Sequence, residues 1–95
     1  MKIASSQTKL KRSPRVSSRQ VIDEIMILHH PTGNYFTLNP TGTAIWNYCT
    51  EARCFQEILD FICAEYGVEK QATEDELTIY VDELVREGLV EIAEC

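Results

Sequence analysis

The 95-residue chain reads as an α+β domain in which a three-stranded antiparallel sheet is followed by three helices. Three observations predict it. Short β-branched and aromatic runs separated by turn residues fill positions 16–38, the hydrophobic period then lengthens to that of a helix, and helix start and stop signals divide the remainder into three.

Each element has its own warrant. Met1 to about Arg15 is rich in Ser, Lys and Arg and has no hydrophobic period, so residues 1–15 are expected to form a flexible basic arm ahead of a folded domain over 16–95. Val16–Ile22 forms the first strand, broken by Asp23-Glu24, and Ile25-Met26-Ile27-Leu28-His29 the second. Pro31-Thr32-Gly33-Asn34 is a turn, with Pro fixing φ and Gly supplying a positive one. The third strand is Tyr35-Phe36-Thr37-Leu38, with Phe36 and Leu38 on one face and Tyr35 and Thr37 on the other.

Asn39-Pro40 then starts a helix, since Asn caps orphan amides and Pro forfeits a donor that had no partner; this helix runs to about Cys49. Phe55, Ile58, Leu59, Ile62, Cys63 and Tyr66 form the apolar stripe of the second, which Gly67 ends. Thr73-x-x-Glu76 is a capping box for the third, closed by Gly88; its stripe of Leu77, Tyr80, Val81, Leu84 and Val85 is wide enough to serve two surfaces, with Ile79 outside it. Leu89-Val90-Glu91-Ile92 follows as a short extended tail.

Composition narrows the function. With 44% hydrophobic and 25% charged residues the chain should fold, and the absence of a long apolar run or secretory signal gives a cytoplasmic expectation with no membrane partner. Residues 1–19 carry six cations and no acid, whereas residues 20–95 carry three cations and all fifteen acids, a net of −12. Such a body repels phosphate backbones, so nucleic acid is not the expected partner. Cys49, Cys54, Cys63 and Cys95 contain no closely spaced ligand pair, so neither a structural zinc nor a disulfide framework is predicted. Cys49 and Cys63 read as small core residues and Cys95 as a loose terminal thiol.

No catalytic constellation is present. His29 and His30 are strand neighbours pointing to opposite faces, Thr41-Gly42-Thr43 lacks the lysine of a phosphate loop, and the acids of the third helix fit a solvated face. The chain is therefore expected to be no enzyme and to carry no cofactor or metal. Its outer strands instead offer unpaired backbone groups, a template for an added peptide strand or for a neighbouring strand or second subunit of a homodimer. Sequence pattern alone leaves these open.

The segment Tyr35-Phe36-Thr37-Leu38-Asn39-Pro40-Thr41-Gly42-Thr43-Ala44-Ile45-Trp46, with Glu57-Ile58 and the Glu83-Leu84-Val85-Arg86-Glu87-Gly88-Leu89-Val90 ending, resembles the PqqD-like family of RiPP recognition elements over about residues 16–92. The resemblance implies a winged helix-turn-helix-like fold and a non-catalytic adaptor. Such an adaptor binds the leader of a ribosomally synthesised precursor peptide and presents it to a modifying enzyme, a radical SAM protein as in PQQ biosynthesis or a leader peptidase. It implies backbone pairing of the leader along Tyr35, Phe36, Thr37 and Leu38, in a cleft against the third helix; from the wide stripe, Tyr80, Val81, Leu84 and Val85 are the residues expected to meet it. Asn39, Gly42 and Trp46 match the motif as a cap, a close helix approach and a core anchor, while Cys54 stands where relatives commonly carry Ser or Thr as a cap. A winged-helix DNA-binding regulator and a permanent structural subunit of a larger enzyme are the alternatives.

Overall fold

The computed structural model describes residues 8–95. Six strands, β1 (Thr8–Arg12), β2 (Val16–Val21), β3 (Glu24–His29), β4 (Asn34–Leu38), β5 (Arg53–Cys54) and β6 (Val90–Glu94), accompany three helices, α1 (Pro40–Tyr48), α2 (Phe55–Tyr66) and α3 (Lys70–Arg86). The predicted meander is present as an antiparallel sheet of order β2-β3-β4. Its inner face turns Ile25, Ile27 and Leu38 into the core, where they meet Ile45 and Trp46 of α1, Phe55, Ile58, Leu59 and Ile62 of α2, and Leu77, Val81 and Leu84 of α3. The α+β class and the order of strands before helices thus agree with the sequence reading.

A second sheet, of order β5-β1-β6, is not expected from the sequence. It corrects the view of residues 8–15 as an arm; residues 1–7 lie outside the described residues. Thr8 pairs with Glu94 and Arg12 with Val90, and on the other side Lys9 and Leu10 pair with Cys54 and Arg53. Leu10 is fully buried. Arg12 donates to the Trp46 carbonyl through Nη2 at 2.6 Å and lies over the indole ring at 4.8 Å, while Lys11 meets Glu91 at 3.5 Å. The strand therefore binds through one leucine, backbone bonds and cations seated on the acidic body. Such an element has no hydrophobic period of its own, and the core begins at Leu10 rather than at Val16.

Two further expectations change. Cys95 is not a loose thiol: it forms a disulfide with Cys54, Cα atoms 5.5 Å apart, which ties the residue following β6 to the N-cap of α2. Cys49 is buried and free and Cys63 half-buried and free. The third helix begins at Lys70, with Glu69 at the N-cap position but no side-chain cap bond, so Thr73 and Glu76 lie inside it rather than at its start. Lys, Gln and Ala at 70–72 are good helix formers, and Lys70 pairs with Asp60, tying the first turn of α3 to α2.

The other helix ends follow the sequence signals. Asn39 Oδ1 accepts from the Gly42 N–H at 2.8 Å with Pro40 at the first position, and Gly67, at φ +65°, ends α2. With cysteine at its N-cap, α2 is closed by Glu57, whose Oε1 accepts from the Cys54 N–H at 3.0 Å. Tyr48 and Phe61 stack at 4.2 Å and lock α1 to α2.

Candidate functional site

The ladder of the β2-β3-β4 sheet determines which backbone groups remain free. Thr43, at the start of α1, inserts its hydroxyl between two strands: Oγ1 accepts from the Ile25 N–H at 3.0 Å and donates to the Leu38 carbonyl at 3.2 Å. The odd-numbered residues of β3 therefore face β4. Consistently, the His30 N–H faces the other way and donates to the Arg15 carbonyl at 3.0 Å. With Ile25 opposite Leu38 and Ile27 opposite Phe36, the inward groups of β4 belong to Phe36 and Leu38, and the N–H and C=O groups of Tyr35 and Thr37 point out of the sheet. Among the described residues no strand pairs with that edge.

Beside the edge lies a cleft of about 280 Å³ lined by Phe36, Thr37, Leu38 and Asn39 on one side and by Tyr80, Glu83, Leu84, Glu87 and Leu89 on the other. One wall is an open hydrogen-bonding edge and the other an apolar helix face fringed with carboxylates. A second cavity, of about 390 Å³, adjoins it at Asn39 and Tyr80 and extends between α1, α2 and α3 past Gly42, Ile45, Ile62 and Leu77. Tyr80 stands between the two. Its hydroxyl lies so close to Gly42 that a Cβ there would overlap it, which is why α1 carries glycine at this point. Burial raises the Tyr80 phenol above its ordinary value, and the nearby Glu83 carboxylate adds to the shift.

The structure distributes the eight expected residues unevenly. Phe36, Thr37, Leu38, Tyr80 and Leu84 line the cleft. Tyr35 contributes its edge backbone, but its side chain is two-thirds exposed and lies on the opposite face of the sheet with Met26, Leu28 and Arg19. Val81 is fully buried in the core and Val85 packs against that core, so neither lines the cleft; the wide stripe on α3 marks a thick core contact there. Glu83 and Glu87 line the cleft and Glu76 the adjoining cavity, three residues that the sequence reading does not assign to a site. They sit at i−4, i+3 and i+7 from Tyr80, and that helical spacing is the available signal.

Among the described residues no group of three His, Cys, Asp or Glu side chains could hold a metal ion, and no helix is long and apolar enough to cross a membrane. His29 Nδ1 and Thr32 Oγ1 are 2.8 Å apart, and His30 Nε2 and Ser17 Oγ are 2.6 Å apart, so both histidines are engaged in local turn and strand contacts.

No curated protein matches the chain. Two solved structures do. "TbiB1 in Complex with the TbiA(beta) Leader Peptide" is 38% identical, covering 85% of this chain and 94% of that one with a TM-score of 0.80. "Lasso peptide synthetase B1 complexed with the leader peptide", at 23% identity and a TM-score of 0.75 over 86% of this chain and 96% of that one, shares the fold. The model of coenzyme PQQ synthesis protein D (PqqD) matches residues 24–90, from the first residue of β3 to the first of β6, and the chain accordingly belongs to the PqqD family.

Proposed function

We propose that the chain is a non-catalytic adaptor that binds the leader of a ribosomally synthesised precursor peptide by strand addition to β4 and presents it to a modifying enzyme, a radical SAM protein or a leader peptidase. The observation that carries this reading is the pair of outward-facing backbone units at Tyr35 and Thr37 overlooking a cleft floored by Phe36, Leu38 and Leu84. An extended peptide placed there gains main-chain hydrogen bonds from the strand, and every second side chain turns toward α3. The 38% identity to a protein solved with a leader peptide supports the peptide-binding part of this reading.

The test is an amide NMR titration with the leader of any short precursor peptide encoded beside the gene. Shifts centred on residues 35–38, Tyr80 and Leu84 are expected. An absence of shifts at millimolar peptide would sink the adaptor reading and favour a permanent structural partner at this edge.

A further inference from the structure

The cleft and its adjoining cavity have a one-sided charge. Glu76, Glu83 and Glu87 line them, and among the described residues no Lys, Arg or His does. Four cations of the fold are engaged elsewhere: Lys11 pairs with Glu91, Arg12 lies on Trp46, Arg53 on Tyr48, and Lys70 pairs with Asp60. Arg86, in the last turn of α3, does not line the cleft. Glu83 and Glu87 therefore border an apolar floor that no cation among the described residues lines. They also sit at the C-terminal end of α3, where the helix dipole adds negative potential.

Spacing makes this more specific. Four residues of helix separate Glu83 from Glu87 by about 6 Å along the axis, and alternate side chains of an extended peptide recur at about 6.7 Å. A peptide lying along β4 can thus set side chains two residues apart opposite both carboxylates while its apolar side chains fill the floor between Phe36, Leu84 and Leu89.

Resting on the peptide-binding role of this groove, we infer that the segment the protein selects is basic as well as apolar, with Lys or Arg at one or two of the positions facing the second half of α3. Acidic segments are rejected by the same carboxylates. Glu83 and Glu87 are thereby specificity-determining residues, and the open edge supplies the sequence-independent part of the affinity.

A displayed library of random 12-residue peptides tests this whatever the natural leader is. It is selected in parallel on the wild-type protein, on Glu83→Lys/Glu87→Lys and on the milder Glu83→Gln/Glu87→Gln. The wild type should enrich Lys and Arg at fixed positions, the charge-reversed protein Asp and Glu at the same positions, and the neutral variant neither. An enriched peptide should lose about two- to five-fold in affinity for each Lys or Arg replaced by Gln, and less at high salt.

Thr37→Pro and Tyr35→Pro, each checked for fold by circular dichroism, separate the two layers of the argument. Peptides that depend on the open edge but show no charge preference, or keep it on the charge-reversed protein, would overturn the electrostatic inference and leave the groove standing. Peptides indifferent to both prolines, or no enrichment at all, would overturn the groove and the inference with it.

Discussion

Proline at position 37 discriminates between a strand that receives a peptide and a strand that is merely part of a sheet. The Thr37 N–H points out of the β2-β3-β4 ladder, so its loss costs the folded protein no internal hydrogen bond, and an edge position tolerates proline. A bound peptide, in contrast, loses the donor for one of its carbonyls and leaves that carbonyl desolvated, at about 1–3 kcal/mol. Free energy of that size is about a 5- to 150-fold rise in Kd, starting from the roughly 0.1–10 μM expected of a short strand with two or three anchored side chains. Fluorescence anisotropy with labelled leader, beside a thermal melt, measures both halves of the claim. Phe36→Pro provides the contrast, because its N–H faces Ile27 inside the ladder and the substitution should destabilise the fold itself. A Thr37→Pro protein with native Tm and unchanged Kd would refute the assignment of this edge, as would Phe36→Pro and Thr37→Pro damaging the fold equally.

Other substitutions probe the supports of the site. Gly42→Ala should lower stability by about 1–3 kcal/mol by overpacking against the Tyr80 hydroxyl; Tyr80→Phe should restore part of the loss, and a double-mutant cycle by chemical denaturation reads the coupling. Cys95→Ser, or reduction of the wild type, opens a loop whose ends are 41 residues apart and should cost up to about 4 kcal/mol in a urea titration. Burial pushes the Cys49 thiol up from 9.0 to about 11, with Arg12 and Arg53 opposing the shift. Because the folded value is the higher one, the neutral thiol's contribution is fully present below pH 9 and lost as pH rises toward 11, by about 2–3 kcal/mol. Melts of wild type and Cys49→Ala across that window should diverge, and parallel curves would show that the thiol is not the titrating group.

How much of this is legible in the sequence depends on whether an element carries its own signal. The meander, the Asn39-Pro40 helix start and the Gly67 stop each rest on local chemistry, and each appears where the residues place it. β1 goes unseen because Leu10 is its only apolar residue and its partners lie at the far end of the chain, so nothing between residues 8 and 12 announces a strand. The capping box at Thr73 is a strong pattern for the start of α3, yet propensity and the Lys70–Asp60 pair carry the helix one turn further. The site is legible as a strand and a helix, but a stripe too wide for one surface does not reveal which residues face the core. Of the two valines expected to meet the peptide, Val81 belongs to the interior and Val85 packs against it, while Glu83 and Glu87, expected in solvent, border the cleft.

The pairing of β1 with β6 has a temporal side. Thr8 meets Glu94 and Arg12 meets Val90, so β6, one of the two strand partners of β1, is synthesised some eighty residues after it, about 4–16 s at ribosomal rates. Hairpins such as those joining β2, β3 and β4 close in about 1–10 μs. The strand bearing the open edge thus has its sheet partner within moments of its own synthesis, whereas β1 waits some forty residues for β5 and some eighty for β6. In the nascent chain the two sheets are separated by about six orders of magnitude in time, and the segment that waits is highly charged, with three cations among the five residues of Thr8–Arg12. Like charge on neighbouring nascent chains opposes their association during that wait, a role for the basic strand that the finished fold, with Lys11 and Arg12 already seated on their partners, conceals.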